Sequence, residues 1–232
     1  MSRGEAPQPA GPAPRQRAFN APWPVVALIV VLVAAHAARV WLGIDPNVFA
    51  FTQQDLAHVS LSGLLTHMFV HASWGHLLVN SAFTLAFGTP VARYFGRRSW
   101  PALAFFCFFL FCGVLSALGF GAVDDATAAA LGQPAHDWAL VGASGAASGL
   151  MGAAVRLMDR KGRLGPMNSS TVLGMSVAWV VINLVFGLTG LTPGTAGAPV
   201  AWQAHVIGYF VGLMAIGPFA WLARDHARAN HV

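Results

Sequence analysis

Residues 100–120 read WPALAFFCFFLFCGVLSALGF, a run of twenty-one residues without one charged side chain. A helix of about 20 predominantly apolar residues is long enough to cross the hydrocarbon core of a bilayer. The whole chain has this character, because 56% of its 232 residues are hydrophobic and only 9% are charged. Such a composition is unusual for a soluble domain, so the run predicts a membrane-spanning helix.

Five further apolar segments lie on either side of this run. With it they cover roughly residues 23–44, 74–95, 100–120, 141–158, 170–188 and 200–223. Each has about the length that spans a bilayer, although the fourth is the shortest and the richest in glycine and alanine. We therefore predict an all-α polytopic membrane protein, a bundle of six transmembrane helices forming one domain over residues 23–223. Residues 1–22 are predicted to be a disordered N-terminal tail, and residues 224–232 a short C-terminal tail.

The arginine clusters indicate how this bundle lies in the membrane. With six spans, nearly all basic residues fall on one side, and several aspartates fall in the loops of the other side. The positive-inside rule assigns the basic side, and with it both termini, to the cytoplasm. The net charge of +5 is therefore interpreted as a topology signal, and no nucleic-acid partner is predicted. The preference for arginine over lysine and the abundant alanine are typical of a GC-rich bacterial genome, which favours a bacterial inner membrane.

Four polar residues lie near the outer ends of three spans, where a bilayer makes them costly. Ser144 lies in the fourth span and His205 in the sixth, and the second contains His76 and Asn80. At a rise of about 1.5 Å per residue, the serine and both histidines sit within about 10 Å of the outer surface. This shared depth predicts that the four side chains meet.

Small residues predict a close approach of the fourth and sixth helices. In the sixth, His205, Gly208 and Gly212 are spaced i, i+3 and i+7 and share one face. Two stripes of small residues follow the fourth helix: Ser144, Ser148 and Gly152 in one, and Gly145 and Gly149 in the other. Because small residues let helix backbones approach in lipid, this packing would bring His205 toward Ser144.

These side chains suit acyl-transfer chemistry. A serine hydroxyl becomes a good nucleophile when an adjacent base takes its proton, and a neutral imidazole can do so. The acidic residues lie in loops or at the cytoplasmic side, so the sequence predicts a Ser144–His205 dyad rather than a triad. His76 and Asn80, spaced i and i+4, are candidate donors to an oxyanion, as is the Ser144 N–H near its helix N-terminus.

Three motifs resemble those of the rhomboid family of intramembrane serine proteases. GASG at 142–145 resembles the family's GxSG, HMFVHASWGHLLVN at 67–80 its second helix, and AWQAHVIGYFVGL at 201–213 its last catalytic helix. GxSG alone is a weak pattern, but the three occur in family order, each at an outer helix end. The resemblance covers about residues 45–223.

The resemblance implies an enzyme that cleaves single-span or polytopic membrane proteins in or near their transmembrane helices, with its active site toward the outer face. Ser144 would be the nucleophile and His205 the base, and the oxyanion hole would consist of His76, Asn80 and the Ser144 amide. Gly142 would permit close backbone approach, and the supporting glycines would be Gly145, Gly208 and Gly212. The loop Thr189–Pro199 would cap the site and move for substrate access. Apart from substrate and the lipid bilayer no partner is implied, and no cofactor.

Two positions depart from the family pattern. The family often has an aromatic residue four places after the nucleophile, stacking on the histidine, and this chain has Ser148 there. Several members have a Trp-Arg pair in the first outer loop, and residues 45–72 contain none. The first departure concerns the orientation of His205, and the second concerns substrate selection.

Other interpretations of the same residues remain open. His67 and His71 form an HxxxH pair that could share a zinc ion, but no third ligand is evident, so we predict no metal and a structural hydrogen-bonding role. An inactive, client-binding relative is the alternative function, although such relatives lose the serine or the histidine. A transporter would need polar residues along the whole depth of the bundle.

Overall fold

The computed structural model describes residues 20–58, 60–96, 99–134, 137–158, 163–190 and 200–229. Within these ranges the chain forms eight α-helices: α1 (Trp23–Trp41), α2 (Gln53–His58), α3 (Leu61–Thr66), α4 (Trp74–Phe95), α5 (Ser99–Ala130), α6 (Ser144–Met158), α7 (Ser170–Thr189) and α8 (Trp202–Ala229). Two short strands, β1 (Phe51–Thr52) and β2 (Ala139–Leu140), form an antiparallel pair. Most of the predicted N-terminal tail lies outside the described residues.

The six long helices, α1 and α4 to α8, correspond in order to the six predicted spans, which confirms the all-α bundle. Two of them are longer than predicted. Helix α5 continues to Ala130 and α8 to Ala229, because good helix formers follow each predicted end, alanine in α5 and alanine with arginine in α8. Much of the predicted C-terminal tail is therefore helical.

Four of these helices, α1, α5, α7 and α8, are long and apolar enough to cross a membrane, as judged over the described residues. The other two are those that contain the candidate nucleophile and the candidate oxyanion donors. Helix α6 has only 15 residues, and α4 is less apolar because it contains His76, Asn80 and Thr84. Three of the four functional candidates thus lie on the two spans that hydropathy detects least well, and the fourth, His205, lies on α8.

Helix α6 occupies the centre of the bundle. All of its residues are buried except Ser144, Arg156 and Met158. Its closest neighbour is α8, and the two backbones touch at glycines. A Cβ added to Gly208 would fall on the carbonyl oxygen of Gly145, and one added to Gly212 would fall on that of Gly149. The predicted glycine-faced packing of these two helices is thus confirmed, and it fixes the position of His205 on the first turn of α8.

The segment between α1 and α4 folds back onto the residues that precede α6. Strand β1 pairs with β2, with Phe51 opposite Leu140, and Trp138 packs on the rings of Phe51 and Phe120. Asp55 accepts hydrogen bonds from the backbone N–H and the hydroxyl of Thr52. Burial acts to raise the pKa of Asp55, but the hydrogen bonds from Thr52 and Ser60 outweigh it, so this pKa lies below its usual value. The charged carboxylate thus joins residues within the first loop.

Candidate active site

A cavity of about 820 Å³ lies beside the first turns of α4, α6 and α8. Ser144, His205, His76 and Asn80 all line it. The structure therefore brings together the four side chains that the sequence places at one depth. The rest of the wall is mainly apolar and includes side chains of α5, of the segment between α5 and α6, and of α7 and α8 with the residues just before α8: Phe120, Trp138, Leu140, Phe186, Val200 and Trp202.

Ser144 is the first residue of α6, and its side chain is partly buried in the cavity wall. The first N–H groups of a helix have no intrahelical partner, and the helix dipole makes this end positive. A negative charge that develops beside Ser144 is therefore stabilised by the backbone itself.

His76 and Asn80 lie one turn apart on α4 and face the loop that precedes Ser144. A Cβ built on Gly142 would come within 3.0 Å of His76 Nε2 and 3.5 Å of Asn80 Nδ2. Asn80 is only 3% exposed, and its Nδ2 has no hydrogen-bond partner among the described residues. A buried donor without a partner is costly, so this amide is prepared to donate to a group that enters the cavity.

His205 is held from the side of α7. Its Nδ1 lies 2.8 Å from Asn183 Oδ1, and Trp179 Nε1 donates to the His205 carbonyl oxygen at 3.4 Å. Among the described residues, the only hydrogen bond of the imidazole is with Asn183 and not with Ser144. Catalytic hydrogen bonds are often long or poorly aligned before substrate binds and tighten in the reacting complex, so this geometry is compatible with a pairing of Ser144 and His205.

The comparisons with known proteins agree with this geometry. A family model described as the rhomboid domain matches residues 57–221, which is more than half of the chain. The chain belongs to the rhomboid family. Among curated proteins, no match was found. Rhomboid domains are helical polytopic membrane folds, and with its long apolar helices this rhomboid is an integral membrane protein. The family consists typically of intramembrane proteases and includes inactive forms.

The GASG loop of this rhomboid is shaped by Gly142 and by two histidines of the first loop. Gly142 has a φ of +114°, which side chains rarely adopt, and its Cβ would lie 2.6 Å from His76 Cε1. Its N–H donates to the His67 carbonyl oxygen at 2.8 Å, and the Ala143 N–H donates to His71 Nε2 at 3.4 Å. The predicted structural role of His67 and His71 is thus confirmed.

His67 is anchored in turn by α3. Its Nδ1 donates to the Gly63 carbonyl oxygen at 3.1 Å, and burial lowers the pKa of His67 to about 4. At neutral pH the ring is therefore uncharged, which suits its place in an apolar wall. The two histidines of HxxxH position the loop before the candidate nucleophile.

Two further residues of this rhomboid bear on the sequence interpretation. The hydroxyl of Ser148 donates to the Ser144 carbonyl oxygen at 2.8 Å, so Ser148 acts as a packing residue of α6. Asp137, one of the loop carboxylates, lines the mouth of the cavity with an exposed side chain. The imidazole Nδ1 of His205 is bonded to an amide and not to this carboxylate.

The sequence interpretation missed Asn183 and Trp179. The sequence feature that could have identified Asn183 is its amide side chain in an apolar span, because such a polar group in a bilayer needs a hydrogen-bond partner. Sequence spacing within α7 does not reveal that this partner is His205 on another helix.

Proposed function

We propose that this rhomboid is an intramembrane serine endopeptidase, with Ser144 as the nucleophile and His205 as the general base. The observation that carries the proposal is the cavity, which gathers a serine at a helix N-terminus, a histidine and an unpartnered amide donor. Each of these groups is costly to bury in a membrane protein, and together they match the requirements of acyl transfer.

In this mechanism the neutral imidazole of His205 takes the proton of Ser144 Oγ as the oxygen attacks the scissile carbonyl carbon. The His205 imidazolium then gives that proton to the leaving nitrogen, and the peptide C–N bond breaks to leave an acyl-enzyme. A water molecule, deprotonated by the same imidazole, attacks the ester. The acid product is released and Ser144 regains its proton.

The oxyanion that forms in each half of the reaction is stabilised by His76, Asn80 and the Ser144 N–H. Their hydrogen bonds form with the negative oxygen as it develops. Such preorganised donors act in a site that excludes most water, where they are worth more than in solution. Their alignment by the rigid helices α4 and α6 means that little reorganisation accompanies the reaction.

The substrates are single-span or polytopic membrane proteins, cleaved in or near their transmembrane helices. Both termini lie in the cytoplasm and the cavity faces the outer side of a bacterial inner membrane, an orientation supported by the distribution of arginine. The first loop and β2 border the cavity on this side, so a substrate chain reaches Ser144 close to the outer membrane surface.

The test uses the purified full chain in liposomes with a fluorophosphonate serine probe and a single-span reporter protein. We expect covalent labelling of the wild-type protein and cleavage of the reporter at one region of its helix. A folded protein that neither labels nor cleaves would contradict the protease and favour the client-binding alternative, for which reporter binding would then be measured.

His76→Ala and Asn80→Ala are each expected to lower kcat on the order of 10²–10³-fold, because each removes one donor to the oxyanion. The KM for the reporter should change little, since these bonds form in the transition state. Thr84→Val is the matched control, because Thr84 lies one turn beyond Asn80 and its buried hydroxyl has no partner among the described residues. A double variant of His76 and Asn80 that cleaves at the control rate would remove both from the mechanism.

A further inference from the structure

Helix α7 has one polar stripe on an otherwise apolar surface. Its members, Ser176, Trp179 and Asn183, are spaced i, i+3 and i+7 and therefore share one face. All three hydrogen-bond to α8: Ser176 to the hydroxyl of Tyr209, Trp179 to the His205 carbonyl oxygen and Asn183 to the His205 ring. Within the described part of α7, only Val172 and Asn183 are buried.

The orientation of the Asn183 amide follows from its second contact. Nδ2 donates to the Trp179 carbonyl oxygen at 2.9 Å, and a carbonyl can only accept. Oδ1 must therefore be the atom that faces His205 Nδ1. Since Oδ1 also only accepts, Nδ1 carries the proton and donates it, which leaves Nε2 with its lone pair free.

We propose that Asn183 is a positioning residue that holds His205 in the Nδ1–H tautomer and fixes the plane of its ring, so that Nε2 acts as the base. The inference rests on the proposed protease function. It adds a third member, an amide on α7, to the predicted dyad. In serine proteases an orienting group at Nδ1 has this role, and loss of the correct tautomer lowers turnover strongly.

No other contact in the described structure orients the ring. No aromatic ring stacks on His205 among the described residues, and the hydroxyl of Ser148 is bonded to its own helix. Asn183 is 1% exposed and hydrogen-bonded through both of its polar atoms, so the amide is held in place and transmits the position of α7 to the imidazole. A hydrogen bond to the non-reacting nitrogen of an imidazole fixes the ring only if the partner is itself held rigidly.

The test compares Asn183→Leu, which keeps the number and branching of the side-chain heavy atoms and removes the acceptor, with Asn183→Asp, which keeps an acceptor. Ser176→Ala is the matched control, because it breaks another side-chain hydrogen bond between α7 and α8 that does not involve His205. We measure thermal unfolding, kcat and KM for the reporter, the rate of fluorophosphonate labelling, and the pH–rate profile.

We expect Asn183→Leu to lower kcat and the labelling rate roughly 10- to 100-fold at unchanged KM. Asn183→Asp should restore most of the rate and move the acid limb of the pH profile to higher pH, because a carboxylate stabilises the imidazolium and the base is then freed only at higher pH. Ser176→Ala should match the wild type.

Folded Asn183→Leu that labels at the wild-type rate would overturn the inference, as would a folded Asn183→Asp as slow as Asn183→Leu with an unmoved pH profile. If Asn183→Leu does not fold, the rate and the pH profile of Asn183→Asp decide alone. If the wild type itself does not label, the proposed function fails, which is a different result from an active wild type that is indifferent to position 183.

Discussion

Ser144→Ala and His205→Ala are each expected to lower reporter cleavage by at least about 10⁴-fold, to the background level. The first substitution removes the atom that forms the acyl-enzyme. The second leaves the hydroxyl without a base, and a serine hydroxyl is a weak nucleophile without one. Because the two residues act as a unit, the double variant should be no slower than either single variant.

This prediction is measured as single-turnover cleavage of the reporter in liposomes, with fluorophosphonate labelling in parallel. Ser148→Ala is the matched control, since Ser148 lies one turn later on the same helix and its hydroxyl is bonded to the backbone. It should cleave and label like the wild type. If Ser144→Ala retains the wild-type rate, another residue is the nucleophile and the mechanism is wrong.

Gly212→Ala is expected to destabilise the folded bundle by about 3 kcal/mol or more and to abolish most activity. The new Cβ would fall on the carbonyl oxygen and the Cα of Gly149, and backbone atoms in the middle of two packed helices cannot rotate aside. Overpacking usually costs about 1–3 kcal/mol where side chains can adjust, so a backbone clash belongs at or above the top of this range. Helix α8 must move away from α6, and a displacement of about 1 Å at His205 can cost about 10²-fold in rate.

The measurement is the midpoint of thermal unfolding in detergent together with the cleavage rate in liposomes. Gly217→Ala is the matched control on the same helix, because its Cβ would meet only a terminal carbon of Leu164 at 3.7 Å, an ordinary contact. We expect the control to unfold and cleave like the wild type. Equal behaviour of the two variants would show that the α6–α8 contact is looser than the structure describes.

The fold could be predicted largely from hydropathy, and its two imprecise boundaries have a common cause. Helix α5 extends to Ala130 and α8 to Ala229, where the sequence is no longer strongly apolar. A hydropathy pattern shows which residues are stable in the hydrocarbon core of the bilayer. A helix can continue beyond that core into water as long as its residues are good helix formers. The fourth span was predicted over residues 141–158 as an apolar segment, and its helix, α6, begins only at Ser144 and has 15 residues.

The candidate site, like the fold, could be predicted from the sequence only in part. The sequence could predict four site residues, because polar side chains inside a bilayer are costly and these four lie at one depth: Ser144, His205, His76 and Asn80. The family motifs that contain them agree with this prediction. Their roles stay predictions until the variants are measured. Asn183 could not be assigned, because its partner lies 22 residues away on another helix. Asp137 was set aside as a loop residue, and only the fold places it at the mouth of the cavity.

By itself, the sequence determined that this protein is a membrane bundle of apolar helices, and it predicted six crossings and the depth of the costly polar residues. These properties depend on one helix at a time, because the transfer of each segment into lipid is set by its own composition. Only the tertiary structure decided that Gly142 and Ala143 are held by His67 and His71, and that His205 is held by Asn183. Those contacts join segments that are far apart in the sequence, and so does the close backbone approach of α6 and α8 at their glycines.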